Sequence, residues 1–128
     1  MEVTEGHILS QMSFRDVEIT DERLVVELDA GPTLVNRRGA IQGGLVATLI
    51  DIAAGRLAER HVGPGHDVTT ADMTVHFLAP IVGGPARAVA TLVRAGRRLS
   101  IIAVDVTDLA RGRLAARATV SFAVLDPR

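Results

Sequence analysis

The chemistry-bearing residues of this chain gather in one short stretch. Asp51 lies inside an apolar run, LVATLIDIAAGRLA, from Leu45 to Ala58, with Leu49, Ile50, Ile52 and Ala53 as its neighbours. An ionised carboxylate among apolar groups must be hydrogen-bonded, paired or shifted in pKa, and such groups are frequent at catalytic sites. At helical spacing, Gly44, Thr48 and Gly55 share the face of Asp51. That stripe is narrow and small, so a ligand or another chain can approach it closely. Upstream, Gln42-Gly43-Gly44 falls where the helical period begins. The unpaired N–H groups and positive dipole end of a helix start suit a developing oxyanion. Asn36 adds a polar side chain fifteen residues before Asp51. Donors at a helix start and a carboxylate two turns inside it suit acyl transfer to water. Backbone donors polarise a carbonyl, and the carboxylate attacks it or activates water.

A second group is basic. Arg37-Arg38 follow Asn36 directly, and Arg97-Arg98 sit in a turn near Ala95-Gly96-Arg97. Fork-shaped guanidinium groups suit phosphate or carboxylate. The whole chain is nearly neutral, with 14 Lys+Arg against 15 Asp+Glu. Local basic clusters in a neutral chain fit a small anionic ligand, and nucleic acid is not expected as a partner.

Other chemistries find little support. There is no cysteine, which removes thiol nucleophiles, disulfides and thiolate metal sites. The four histidines, His7, His61, His66 and His76, form no metal-ligand spacing, so no metal is expected. His61 and His66 flank Gly63-Pro64-Gly65 and read as solvated. No GxSxG elbow, dinucleotide fingerprint or P-loop is present. The amino-terminal MEVTEGHILSQ lacks the basic-then-apolar order of a secretory signal. The apolar helix carries Asp51, Arg56, Glu59 and Arg60, so it is not expected to span a membrane. These readings make a cytoplasmic protein the expectation.

The elements that must position these groups are legible as pattern. At 128 residues and 48% hydrophobic, one domain spanning residues 1–128 is expected. Phe14 to Ile19 and Leu24 to Leu28 read as a hairpin. Gly43 to about His61 has helical period, ended by Gly63-Pro64-Gly65. Val68 to Leu78, Ala86 to Arg94, Leu99 to Val106 and Leu114 to Leu125 read as strands, with Asp108 to Arg113 as a turn. The expectation is an α+β antiparallel meander with one long helix inserted. Met73, Val75 and Phe77 share one face of their strand, opposite Asp72, Thr74 and His76. One helix cannot cover so much apolar strand surface, so a homodimer is expected.

At this point the motifs resemble a known family. Asn36…Gly39-Ala40-Ile41-Gln42-Gly43-Gly44…Thr48-Leu49-Ile50-Asp51…Gly55 is similar to the signature of hot dog fold acyl-CoA thioesterases of the phenylacetic-acid-degradation type. Asp72 to Pro80, Gly96 to Leu99 and Gly112 to Thr119 resemble that family's later motifs, in order. The resemblance implies an antiparallel sheet wrapped around a central helix, paired into dimers or dimers of dimers, with active sites shared between subunits. It implies Asp51 as nucleophile or general base, and Gly43 N–H as donor to the thioester oxygen. It implies Asn36 beside the attacking water and Thr70 as a hydroxyl contributed by the facing subunit. Coenzyme A is expected only as part of the substrate, with no separate cofactor. Arg37, Arg38, Arg97 and Arg98 are the candidates for its phosphates.

One departure stands out. Many members have histidine where this chain has Gln42. Glutamine donates a hydrogen bond but carries no proton at neutral pH. Two alternatives stay open: an acyl-thioester-binding protein without turnover, which Gln42 favours, and a hot dog dehydratase or hydratase, which Gln42 weakens as well. The only aromatics are Phe14, Phe77 and Phe122, so an aliphatic pocket lining is expected.

Overall fold

The computed structural model describes residues 5–128. Residues 1–4 of the expected 1–128 domain, and the start of the amino-terminal segment, lie outside the described residues. After a 3₁₀ turn at Ile8–Gln11, strands β1 (Phe14–Ile19) and β2 (Arg23–Leu28) form the expected hairpin. Helix α1 follows at Gly43–Glu59. Strands β3 (Asp67–Phe77), β4 (Ala86–Ala95), β5 (Leu99–Asp108) and β6 (Arg113–Leu125) complete the chain. Each strand lies within two residues of its expected bounds, because alternation of apolar and polar residues marks them directly.

The strand order corrects the expected meander. The six-stranded sheet runs β1-β2-β4-β5-β6-β3. Of the four strands after the helix, only β4, β5 and β6 follow one another in space. Strand β3 crosses to the far edge and pairs with β6, from Asp67↔Leu125 to Phe77↔Ala116. The helix between β2 and β3 is the crossover that carries the chain there. At the β4–β5 turn, a side chain at Gly96 would collide with the Leu99 carbonyl at 2.4 Å, so only glycine closes this turn without displacement.

The sheet curves around α1. The buried face of the helix is Val46, Leu49, Ile50, Ala53, Ala54, Leu57 and Ala58. It meets alanines 86, 88 and 90 of β4, then Ile102, Val104 and Val106 of β5 and Val120 and Phe122 of β6, all within one core cluster. Small residues let strand and helix backbones approach, and each buried Leu or Ile contributes about 1.5–3 kcal/mol. The opposite face of the sheet is more polar. There Glu27 is buried between Arg15 and Arg87. Burial opposes its charge, but the two guanidinium groups outweigh that and hold its carboxyl below the usual range. Edge strand β3 is exposed along most of its length, including Met73 and Phe77.

Asp108 is a second correction. It belongs to the end of β5, and its side chain is fully buried. Its carboxylate accepts N–H bonds from Val82 (3.0 Å), Gly84 (2.8 Å) and Ala110 (3.2 Å). Burial alone would raise its pKa; the backbone donors of residues 82–84 and Ala110 outweigh it and hold the carboxyl below its ordinary value. The β3–β4 connection is thereby tied to the end of β5. His61 and His66 are also less solvated than expected, each half-buried with its ring on a backbone carbonyl, of Asp21 and Leu125 respectively.

Because the folded-state pKa of Asp108 is depressed, its stabilisation is complete above the ordinary carboxylate pKa. It is lost as pH falls from about 4 toward the folded value. Asp108→Asn should therefore lower stability at pH 7 by roughly 2–3 kcal/mol. Urea midpoints should converge between the two proteins as pH falls below about 4. Parallel acid profiles would contradict this account of Asp108.

Candidate active site

Helix α1 begins at Gly43, with Gln42 in the capping position at φ −56°, ψ 136°. The Gln42 side chain makes no capping bond, and the first turn carries no acidic residue. Leu45 and Val46 N–H both donate to the Gln42 carbonyl, at 2.9 and 3.1 Å. Gly43 and Gly44 N–H have no backbone acceptor among the described residues. These are the open donors that the helix start was expected to present. The preceding loop is held from both sides. Ile41 N–H donates to Ile81 O at 2.9 Å, and Gln42 N–H donates to Leu34 O at 3.0 Å.

Asn36 has a structural task that the sequence did not disclose. Its Oδ1 accepts from Arg38 N–H (2.9 Å) and Ala40 N–H (3.2 Å), and its own N–H donates to Ala40 O (2.7 Å). The side-chain oxygen is thus committed to folding the loop, which leaves the amide nitrogen for other partners. Asn36, Gly43, Val46, Phe77 and Pro80 line one cleft.

Asp51 lies half-buried on the exposed side of α1. Thr70 of β3 donates its hydroxyl to Asp51 Oδ1 at 2.7 Å. The carboxylate is therefore hydrogen-bonded, one of the three outcomes its apolar neighbours required. Thr70 reaches it from the same chain, whereas the resemblance assigned Thr70 to a facing subunit. The reason is the crossover, which lays the start of β3 along α1. Thr48, by contrast, turns its hydroxyl back to Gly44 O, at 2.9 Å. Asp51 and Thr70 line a second cleft with Gly55, Val68 and Phe122.

The two clefts share no lining residue. Gly43 and Asp51 are eight residues apart on one straight helix, about 12 Å along its axis. No carbonyl can contact both within one chain.

The arginines divide by partner. Arg56 pairs with Asp16, Arg60 with Asp21, Arg87 with Glu27 and Arg117 with Asp105. Arg37, Arg38, Arg97 and Arg98 form no ion pair or side-chain hydrogen bond among the described residues, and all four are exposed to solvent. The two pairs lie near opposite ends of α1: Arg37 and Arg38 precede its start, while Arg97 lines a small cleft with His61 and His66 beyond its end. Within one chain they do not converge on one phosphate. Among the described residues no cluster of His, Asp and Glu could hold a metal ion, and no helix is long and apolar enough to cross a membrane.

Known proteins share this sequence pattern. The family model described as the thioesterase superfamily matches residues 38–116, more than half of the chain and including the helix start, Asp51 and Thr70. The chain belongs to the thioesterase superfamily. A relative from Saccharolobus solfataricus that carries the name esterase is 30% identical over 115 residues, covering 88% of this chain and 81% of that protein. Acyl-coenzyme A thioesterase 13 of Mus musculus is 28% identical over 102 residues, covering 79% of this chain and 72% of that protein. A Bacillus halodurans protein solved with CoA is 33% identical with a TM-score of 0.75, covering 79% of this chain and 66% of that chain. The helix and wrapped antiparallel sheet are the hot dog fold of this superfamily.

Thr70 offers a direct check on the Asp51 environment. Thr70→Val removes the hydroxyl donor, and Thr70→Ser keeps it. Both sites are solvent-accessible, so melting should shift by the equivalent of less than about 1 kcal/mol in either variant. Thioester hydrolysis should fall in the valine variant and persist in the serine variant. Equal rates in both would detach Thr70 from the chemistry.

Proposed function

We propose that this chain hydrolyses an acyl-CoA, or an acyl-carrier thioester, in sites assembled from two copies of the chain. The observation that carries this reading is the spacing on α1. Open N–H donors stand at its start, and a hydroxyl-bonded carboxylate stands about 12 Å further along, in a member of the thioesterase superfamily. Two antiparallel copies of α1 related by a two-fold axis bring Gly43 of each to Asp51 of the other. The axis then crosses near Ala47, midway between them. Gly44, Ala47 and Thr48 are small enough for close approach at that point. The exposed edge strand β3, with Met73 and Phe77 uncovered, supports the same pairing.

In such a site the thioester oxygen accepts from Gly43 N–H of one chain. Asp51 of the other chain either takes a proton from a water whose oxygen attacks the carbonyl carbon, or attacks that carbon itself to form an anhydride that water then hydrolyses, and Thr70 fixes its orientation. Gln42 adds a neutral donor near the oxygen. The carbon–sulfur bond breaks and the departing thiolate takes up the proton that the water releases. Asn36 stands on the oxyanion side, and the free Arg37 and Arg38 beside it suit the phosphates of the coenzyme. Arg97 and Arg98 near the far helix end approach the same region only from the paired copy.

Gly43→Pro is a clean probe. Proline is favoured at the first helical position, and Gln42 already has the extended backbone that precedes proline. A β-carbon there meets Phe77 only at 3.6 Å, an ordinary contact. The variant should fold while losing the donor, with kcat down about 10²–10³-fold. Asp51→Asn should fold and lose nearly all turnover, and Gln42→Ala should lose less than either. Co-expressing the two inactive forms should restore activity, since with random pairing about a quarter of the sites are then intact. No recovery in mixed dimers would remove the shared site. Replacing Arg37 and Arg38 by alanine should raise KM for the CoA ester and flatten its salt dependence, with kcat and melting little changed. Acyl-CoA binding without hydrolysis by the unmodified protein would instead favour a non-catalytic binding protein, which the neutral Gln42 also fits.

A further inference from the structure

The end of the molecule that holds the start of α1 is basic, although the whole chain is nearly neutral. Strands β2 and β5 end there and β4 and β6 begin there, since Leu28, Ala86, Asp108 and Arg113 are register partners in turn. Four arginines at this end, Arg37, Arg38, Arg111 and Arg113, are exposed and form no ion pair or side-chain hydrogen bond among the described residues. The acids there are mostly engaged. Glu27 and Asp29 pair with Arg15 and Arg87. Asp108 is buried among backbone N–H groups. Glu5, ahead of β1, is the one acid left over among the described residues.

The segment 78–84 lies between the two arginine pairs. On one side Ile81 O accepts from Ile41 N–H, at the end of the loop that carries Arg37 and Arg38. On the other side Leu78 and Ala79 N–H donate to Ala115 O at 2.8 and 3.2 Å. A β-carbon on Gly83 would stand only 2.4 Å from Ala110 Cβ, so the β5–β6 turn packs directly on this segment. Gly112 closes that turn at φ +59°, with Arg111 and Arg113 on either side of it. Val82 of the segment and Leu109 of the turn are each 37% exposed. The cleft that holds Gly43 opens at the same place, lined by both Asn36 and Ala115.

Two basic pairs with exposed apolar side chains between them exceed what a small anion needs. One arginine pair already serves the phosphates of a free coenzyme. Apolar contact framed by polar groups is instead the anatomy of a protein–protein interface. An acidic partner is steered toward such a face, and its carboxylates fix the register of docking. Pairing two copies does not reverse the sign. It adds Asp51 and Glu59 of the second copy on the Asn36 side, and with them its Arg97 and Arg98.

We infer that this face docks an acidic carrier protein whose thioester hangs on a phosphopantetheine arm. Arg111 and Arg113 meet the protein, Val82 and Leu109 give it apolar contact, and the arm enters beside Asn36. The inference rests on the thioesterase reading above and narrows the substrate to a thioester borne by a protein.

The test compares one acyl group on two carriers. Hexanoyl-CoA and a bacterial acyl carrier protein loaded with hexanoyl are given to wild type and to the double variant Arg111→Glu, Arg113→Glu, with melting and light scattering as controls. Wild type at low salt should favour the carrier-borne thioester by at least roughly tenfold in kcat/KM, and the preference should shrink as NaCl is raised. In the double variant the ratio of carrier to CoA should fall by about tenfold or more. A wild-type preference for hexanoyl-CoA, or an unchanged ratio in the folded variant, overturns the docking face and leaves the thioesterase reading standing. If the variant fails to fold, Arg111→Ala with Arg113→Ala decides by the same ratio. No hydrolysis of either thioester removes the thioesterase reading. The docking face then stands only if wild type binds the hexanoyl carrier in a titration and the double variant does not.

Discussion

Everything in this molecule depends on one helix fitting closely inside one sheet. With a single helix there is no second layer to compensate for a poor fit. The alanines of α1 and β4 keep the two backbones near each other, while Leu49, Ile50 and Leu57 fill the remaining space. A truncation such as Leu49→Ala would open a cavity costing about 2–5 kcal/mol, a large part of the stability of a domain this size. The same packing decides which face of α1 is left over. Because one side is committed to the core, Gly44, Thr48, Asp51 and Gly55 are held outward as a rigid row.

That row explains why the chemistry is divided. A helix start supplies open N–H donors only at its first turn, and a carboxylate there would compete for them. Placing the carboxylate two turns later keeps the donors free but moves it out of reach of the same carbonyl. Pairing two helices head to tail resolves the conflict without any change in either chain. The supporting groups are arranged accordingly. Asn36 and the Ile41–Ile81 bond hold the donor end, and Thr70 holds the carboxylate end. Asp108 steadies the donor end from behind, since the 82–84 segment it grips continues directly from Ile81.

Local features were readable from the sequence, and distant ones were not. Strand and helix bounds follow alternation and period, so Phe14–Ile19 and the start of α1 at Gly43 were legible residue by residue. Asp51 stood out because a carboxylate in an apolar run violates its surroundings. The position of β3 was hidden, because its partner β6 lies far along the chain, with pairs from Phe77↔Ala116 to Asp67↔Leu125, and both strands carry similar patterns. Asp108 looked like an ordinary turn acid, because nothing local shows that four backbone N–H groups converge on it. Asn36 was singled out for its place before Asp51, yet its loop-forming bonds depend on backbone geometry that only the fold reveals. The thioesterase superfamily was visible in the motifs, whereas the acyl group is a matter of which side chains meet across α1, β3 and β6.

The eight-residue interval between Gly43 and Asp51 also constrains how such a chain can change. A helix works as a ruler in two coordinates at once, since each residue advances about 1.5 Å and turns about 100°. One residue inserted between the two positions would swing Asp51 by that angle, to the side of the helix where Ile52 now lies. Inserting seven would restore the angle but carry the carboxylate roughly 10 Å past its counterpart. Substitutions in this stretch can drift, but its length cannot. Variation in length is therefore expected to accumulate in the loops that flank α1, where neither coordinate is measured.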